Sequence, residues 1–321
     1  MNINNRITDA YKNIRSDIYK TPLIYSPELS ERTNAKIFLK MENQQKTGSF
    51  KIRGVLNKIH NLGEVNQDNI LVAASTGNHA AAFCYAAEKF GFKGILFLPE
   101  SISKTKLNAI KHSDVEKILY GKNCVTTEKE AALFAQKFNR YLIHPYNDID
   151  IIAGQGTTAI EIEEQLPEVE KIFVPVGGGG LIAGISGWFS ENEKVSVIGC
   201  QPVNASEMAD SVKEGNIVPP KTTDTIADAT AGGIEEDSLT FDFCRKYVSD
   251  FTLITEEEIK KAIAFMVVHH HTLVEPGAAL SVAAALKNSD LTNKTVVLVI
   301  TGKKINPDLL TNIMSSYDSD Y

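Results

Sequence analysis

Residues 174–185 read VPVGGGGLIAGI: the end of an apolar run, four consecutive glycines, and an apolar stretch beyond them. The run KIFVPV (171–176) reads as a strand and the residues after Gly180 as a helix, so the glycines form the turn between them. Glycines Gly177, Gly178, Gly179 and Gly180 let the backbone approach a ligand closely. Their N–H groups join those of the helix N-terminus as donors for a phosphate. No GK[ST] follows, so this is not a Walker loop. Gly178, Gly180 and Ala183 do satisfy G-x-G-x-x-A, which makes a dinucleotide site a rival reading. That rival wants an acidic residue at the end of the next strand to hold a ribose. The next strand, VSVIGC (195–200), runs into Gln201 instead, which favours a phosphate held alone.

Working outward, short β-branched runs alternate with helical stretches. Strands are expected at 35–40, 69–75, 94–99, 116–121, 140–145, 171–176, 195–200, 250–255 and 295–301. Several are apolar on both faces, as parallel strands covered by helices should be. Helical patterns lie between them, such as 78–90, ended by Gly91, and 257–271, opened by the capping-box pair Thr255 and Glu258. Repeated βα units predict an α/β fold with a mostly parallel, open sheet. There is no internal repeat or obvious linker, so any two domains are joined by short crossings.

The 321 residues suffice for two domains or one large α/β domain, and 43% hydrophobic with 23% charged residues is ordinary for a globular chain. A net charge of −7 argues against a nucleic-acid partner, which needs a positive field. The opening MNINNRITDA lacks the apolar core of a signal peptide, and no run reaches membrane-spanning length. Cys84, Cys124, Cys200 and Cys244 are widely spaced without a CxxC, the pattern of buried thiols in a reducing compartment, so a cytoplasmic location is expected.

A second strand–turn–helix reads LVAASTGNHAAAF (71–83). Ser75, Thr76, Gly77 and Asn78 would set hydroxyls and N–H groups at a helix start, suited to a carboxylate. A plain N-cap at Ser75 or Thr76 is the equal local alternative, and His79 by itself reads as structural. In KTGSFKIRG (46–54), Ser49 is expected to cap a helix whose apolar side is Ile52, Leu56 and Ile59. Lys51 then lies in its first turn beside Phe50, where the helix dipole and burial both depress an ammonium pKa. Only a neutral amine attacks an aldehyde, so this position suits an imine-forming lysine; a solvated lysine is the bland alternative. His269, His270 and His271 in VVHHHTLVEPG point different ways on a helix, which argues for a surface stretch rather than a metal site. Thr301, in VITGKKINP, closes the last strand where open α/β sheets bind ligands.

Taken in order, TPLIYSPELS, KMENQQKTGSFKIRG, ASTGNHAAAFCYAA, PYNDIDIIAGQGTTAIEI, VPVGGGGLIAGI and IADATAGG span nearly the whole chain. The set resembles the fold-type II pyridoxal-phosphate enzymes, in the threonine/serine dehydratase and serine racemase branch. The resemblance implies a tryptophan synthase β-like fold of two open, mostly parallel twisted sheets with helices on both faces. It implies a large domain from 1–68 and 148–321 and a small domain, 69–147, carrying the STGNH loop. It further implies that Lys51 binds pyridoxal 5'-phosphate and then moves the substrate's Cα proton. Phe50 packs beside the cofactor, Asn78 bonds its 3'-oxygen, Gly177–Gly180 hold its phosphate, and Thr301 faces the pyridine nitrogen. Ser75, Thr76, Gly77 and His79 line the substrate-carboxylate loop. A hydroxyl at Thr301 does not keep the ring nitrogen protonated, which favours elimination over transamination. The implied reaction converts L-threonine, L-serine or a related β-hydroxy amino acid to a 2-oxo acid and ammonia, in a homodimer.

The sequence departs from the family pattern in four places. Thr76 stands where serine racemases carry the serine that protonates the opposite face of Cα. TGKKIN replaces a small-residue–Gly–Gly–Asn run and puts Lys303 and Lys304 near the cofactor edge. Gln201, with Ala205 and Glu207 following, stands where metal-binding relatives carry glutamate, so no metal is expected there. With the sequence running to Tyr321, feedback inhibition through a C-terminal regulatory domain is not expected. The alternatives are a serine racemase or a 3-hydroxyaspartate ammonia-lyase, then a cysteine synthase-like β-replacement enzyme, a pyridoxal-phosphate binder without lyase activity, or an NAD-dependent oxidoreductase.

Overall fold

A computed structural model describes residues 2–66, 68–100, 102, 107–108, 110–111, 113–121, 124–221 and 223–317. Tyr321 and the side chain of Cys124 lie outside the described residues; Cys84, Cys200 and Cys244 are buried free thiols. In chain order the strands are β1 (Leu23–Tyr25), β2 (Lys36–Lys40), β3 (Ile70–Ala74), β4 (Lys93–Leu98), β5 (Glu116–Leu119), β6 (Tyr141–Leu142), β7 (Lys171–Pro175), β8 (Ser196–Pro202), β9 (Asp250–Ile254) and β10 (Thr295–Val299). They form one sheet of order β1-β2-β10-β7-β8-β9 and a second of order β5-β4-β3-β6. Every neighbouring pair is parallel except β1 with β2.

The doubly apolar runs explain the layering. In the large sheet, Phe173, Ile198, Val296 and Leu298 face one core with the helices Glu256–His270 and Pro276–Lys287. Their sequence neighbours Ile172, Val197, Val297 and Val299 face the opposite core with Ile162, Ile182 and Ile185. The period of two thus feeds two helical layers. The small sheet repeats this: Leu71 and Leu96 pack against Phe83, while Val72 and Phe97 pack toward Ala131 and Ala135. All nine expected strands are present, most a residue or two shorter. β1 was not expected because a three-residue, half-exposed antiparallel edge carries no such pattern. The capping box at Thr255 and Glu258 is formed.

The helix Lys51–Asn61 starts where expected and buries Ile52, Leu56 and Ile59, but Ser49 does not cap it. The preceding residue is Phe50, and the Ser49 hydroxyl is buried without a partner. Ser49 is instead drawn into an antiparallel bridge with Gly302, which fixes its backbone as extended. The helix lies hard against Ile149–Gln165: a Cβ on Gly154 would stand 2.6 Å from the carbonyl oxygen of Arg53 and the Cα of Gly54. Two glycines at the crossing therefore set how closely the backbones approach.

Arg53, the arginine of KTGSFKIRG, is fully buried. Its Nε and Nη2 donate to Glu42 (2.8 and 2.7 Å), and its Nη1 and Nη2 to Glu161 (2.7 and 2.8 Å). Nη1 also reaches Thr157 Oγ1 (3.1 Å), so every donor of the guanidinium is used. Lys40 Nζ joins through Glu161 at 2.6 Å. Two cations and two carboxylates thus lock β2, the Lys51 helix and the Ile149–Gln165 helix together.

Candidate active site

Three turns leave the C-terminal ends of parallel strands: Ser75–Asn78 after β3, Gly177–Gly180 after β7, and Thr301 after β10. The last lies beside the start of the Lys51 helix. The Phe50 N–H donates to the Thr301 carbonyl (3.2 Å) and the Lys303 N–H to that of Gly48 (3.2 Å). Phe50, Lys51 and Thr301 are thereby brought together.

Lys51 Nζ donates to the carbonyl oxygen of Pro145 at 2.7 Å and lies 5.3 Å from the centre of the Phe50 ring. Burial lowers its pKa to about 8, with Glu128 and Glu275 opposing. The amine therefore has a substantial neutral fraction at mildly alkaline pH.

Pro145 leads directly to the glycine turn. The Tyr146 ring packs against Gly178, where an added Cβ would come within 2.3 Å of it, and its backbone abuts Gly180. Gly179 has φ +88°, open to glycine, and precedes the helix Gly180–Trp188. Thr240 Oγ1 donates to the Gly178 carbonyl (2.6 Å), fixing the peptide plane. The N–H groups of Gly177, Gly178, Gly179 and Gly180 donate to no protein group among the described residues. A row of free donors at a helix N-terminus is an anion cradle.

At the Ser75 turn, Ser75 Oγ accepts from the Gly77 N–H (3.2 Å), so Ser75 shapes the loop instead of capping the helix Asn78–Phe90. The N–H groups of Asn78, His79 and Ala80 remain free among the described residues, and Thr76 is partly exposed beside them. The His79 side chain is buried and donates from Nε2 to the Ile143 carbonyl (2.8 Å). Burial, then the Lys51 charge, holds its pKa down to about 3, so the ring is neutral.

Sequence reasoning missed Glu275. It is buried, and both its oxygens accept from Asn78 Nδ2 (3.0 and 2.8 Å). Burial raises its pKa to about 7. The one signal was VEPG, an acid just before a proline that starts a helix, overshadowed by the three histidines preceding it. Also missed was the group around Pro145. His144 Nδ1 accepts from the N–H groups of Tyr146 and Asn147 (3.2 and 2.7 Å), so Nε2 carries the proton and donates to Glu235 at 3.0 Å. Glu128 lines a small cavity with Pro145, His144 and Glu235.

Of the remaining candidates, Lys304 faces Glu275 at the edge of this centre. Gln201 Nε2 donates to the Ala205 carbonyl (3.2 Å) and Glu207 accepts from the Lys221 N–H (2.9 Å). Lys303 and Lys304 are exposed and line a cavity of about 350 Å³ with Lys46, Ala81 and Cys84. His270 Nε2 pairs with Ser26 Oγ at 2.9 Å, while His271 takes a left-handed conformation just after the helix, so the three histidines diverge.

This arrangement agrees with what the chain is similar to. An L-threonine ammonia-lyase of Thermotoga maritima is 40% identical over 311 residues, covering 96% of this chain and 77% of that protein. The catabolic L-threonine dehydratase TdcB of Escherichia coli K12 is 35% identical, covering 98% and 96%. The structure of maize serine racemase superposes with a TM-score of 0.89 at 29% identity, covering 97% and 96%. The family model for pyridoxal-phosphate dependent enzymes matches residues 14–302, which include the lysine helix, the Ser75 turn, the glycine turn and Thr301. The chain belongs to the pyridoxal-phosphate dependent enzyme family.

Proposed function

We propose that this protein is an ammonia-lyase that converts L-threonine or L-serine to a 2-oxo acid and ammonia. The observation that carries this reading is Lys51: a lysine with its ammonium enclosed, held by a neutral carbonyl, and lowered to a pKa of about 8. Similarity at 35–40% identity to threonine dehydratases over nearly the whole chain supports it.

The residues present fit pyridoxal 5'-phosphate. The free amides at Gly177–Gly180 suit its phosphate, the Asn78 side-chain amide has a buried end without a partner, and Lys51 suits its aldehyde. When bound, this cofactor supplies an aldehyde for the substrate amine and an electron sink for charge at Cα. Lys51 Nζ would then take the Cα proton. The free N–H groups at Asn78–Ala80, with Ser75, Thr76 and Gly77, hold the substrate carboxylate against a helix N-terminus. Phe50 would pack against the ring, and Thr301 would offer its nitrogen a hydroxyl. His79, neutral and bonded to Ile143, secures that helix start to the end of β6.

The division into domains, 69–147 against 1–68 with 148–321, is part of this proposal, supported by all four strands of the small sheet falling within 69–147. So is a cytoplasmic homodimer. Its support is the exposed Tyr25, Val268 and Leu273, flanking the Ser26–His270 contact. Light scattering should return twice 35.2 kDa.

The test is an absorption spectrum of the purified protein followed by a keto-acid assay across β-hydroxy amino acids. A lysine-linked cofactor band with 2-oxobutyrate from L-threonine is the expected result. D-serine formed faster than pyruvate from L-serine would favour a racemase, the second reading, which the likeness to maize serine racemase supports. Preference for 3-hydroxyaspartate would give Lys303 and Lys304 a role.

A further inference from the structure

Asn78 and Glu275 hold each other in a way the catalytic reading does not use. Both carboxylate oxygens accept from the single nitrogen Asn78 Nδ2, and the Oδ1 end of that amide is buried with no partner. The carboxylate cannot back away: an added Cβ on Gly302 would be 2.4 Å from its Oε1, and the Glu275 N–H is bonded to the Gly302 carbonyl (3.0 Å). The charged groups facing it are Asp228 from the turn Asp228–Thr230, Lys304 beyond β10, and Lys51. Among the described residues, neither lysine closes to an ion pair with it.

An ionised carboxylate only accepts, so it draws the NH₂ end of Asn78 and turns a carbonyl toward the cofactor. A protonated carboxyl donates; it would take Oδ1 and turn the NH₂ end the other way. The cofactor's ring oxygen carries negative charge when the cofactor is linked to a lysine, and needs a donor. We propose that Glu275 gains a proton when the cofactor binds, and that this proton reverses the Asn78 amide so that its NH₂ end faces the ring oxygen. Glu275 is then a positioning residue, acting through Asn78. The inference rests on the reading of Asn78 as the cofactor's partner. Burial already brings Glu275 close to half-protonated at neutral pH, so the switch needs little driving force.

The experiment is calorimetry of the full chain, freed of cofactor, titrated with pyridoxal 5'-phosphate at about pH 8 in two buffers of different ionisation enthalpy. Wild-type protein should take up about one proton more than Glu275→Gln, whose carboxamide already imitates the protonated acid. Equal uptake by the two proteins overturns the proposal. Should Glu275→Gln fail to fold, infrared difference spectra of the wild type must show a protonated-carboxyl band gained on cofactor addition. Absence of that band overturns it equally. If wild-type protein develops no lysine-linked absorbance at all, the reading of the site fails first, and that outcome is visible before any proton is counted.

Discussion

Lys51 Nζ is held 2.7 Å from the carbonyl oxygen of Pro145, in the same turn whose next residue, Tyr146, covers Gly178. A neutral carbonyl orients the amine without stabilising its charge as a carboxylate would. With a pKa near 8 set by burial, the neutral fraction rises with pH up to that value and then levels. The rate at which cofactor-free protein develops the lysine-linked band should rise about tenfold between about pH 6 and pH 7, and be flat by about pH 9. Stopped-flow absorbance measures this directly. Lys51→Ala should give neither band nor keto acid, and a rate that ignores pH would mean that some other group limits the reaction.

Arg53 makes a prediction about stability. Removing it leaves Glu42 and Glu161 buried against Lys40 alone, so Arg53→Ala should cost about 3–5 kcal/mol in urea unfolding. Glu161 sets the pH dependence. Burial pushes its pKa up, but Arg53 and Lys40 more than offset this and hold it below 4.5. Its contribution is therefore complete above about pH 4.5 and lost as pH falls through the lowered value. An acid-unfolding midpoint unchanged in Arg53→Ala would contradict this account.

The contrast between Lys51 and Arg53 shows what the sequence made legible. Both belong to KTGSFKIRG. The fold class followed from doubly apolar runs, and the cofactor lysine from its place among motifs strung along the chain. Arg53 carries no local signal, because its partners, Glu42 and Glu161, meet it only after the chain has packed. Glu275 was hidden for the same reason, since its partner Asn78 is 197 positions away. Ser49 misled through a local rule: a serine two residues ahead of a helix reads as a cap, yet its bridge to Gly302 prevails.

Glu275 also predicts an unusual stability profile in cofactor-free protein. Its folded pKa, about 7, lies above the ordinary 4.5. The folded state therefore binds more protons than the unfolded state in that window, and stability falls as pH rises through it. Glu275→Gln should be more stable than wild type at about pH 8, by on the order of 3 kcal/mol, with the gap closing toward about pH 4.5. Urea unfolding at both pH values measures it; a constant gap would mean that Glu275 is not the titrating group.

Gly178 predicts a rescue. Gly178→Ala would drive its Cβ to 2.3–2.6 Å from the Tyr146 ring, and the ring must leave the turn. Cofactor affinity should fall tenfold or more, about 1.4 kcal/mol, as the free amides lose their alignment. Adding Tyr146→Ala removes the obstruction and should recover most of the loss. A double variant as weak as the single one would place the defect in the glycine backbone itself.

Thr76 separates elimination from racemisation. It stands beside the free N–H groups of the helix Asn78–Phe90, and among the described residues its hydroxyl donates to no protein group. If Lys51 works one face of Cα and the residue at position 76 would have to supply the proton to the other, elimination needs only the first. Thr76→Ala should then keep keto-acid formation from L-threonine within a few-fold of wild type while abolishing any D-serine formed from L-serine. Thr76→Ser should raise D-serine formation, because the smaller hydroxyl turns without a methyl group to restrain it. Chiral chromatography alongside the keto-acid assay reads both products from one incubation. Loss of both in Thr76→Ala would instead assign the threonine to binding the substrate carboxylate, and a raised KM with unchanged kcat would distinguish that role.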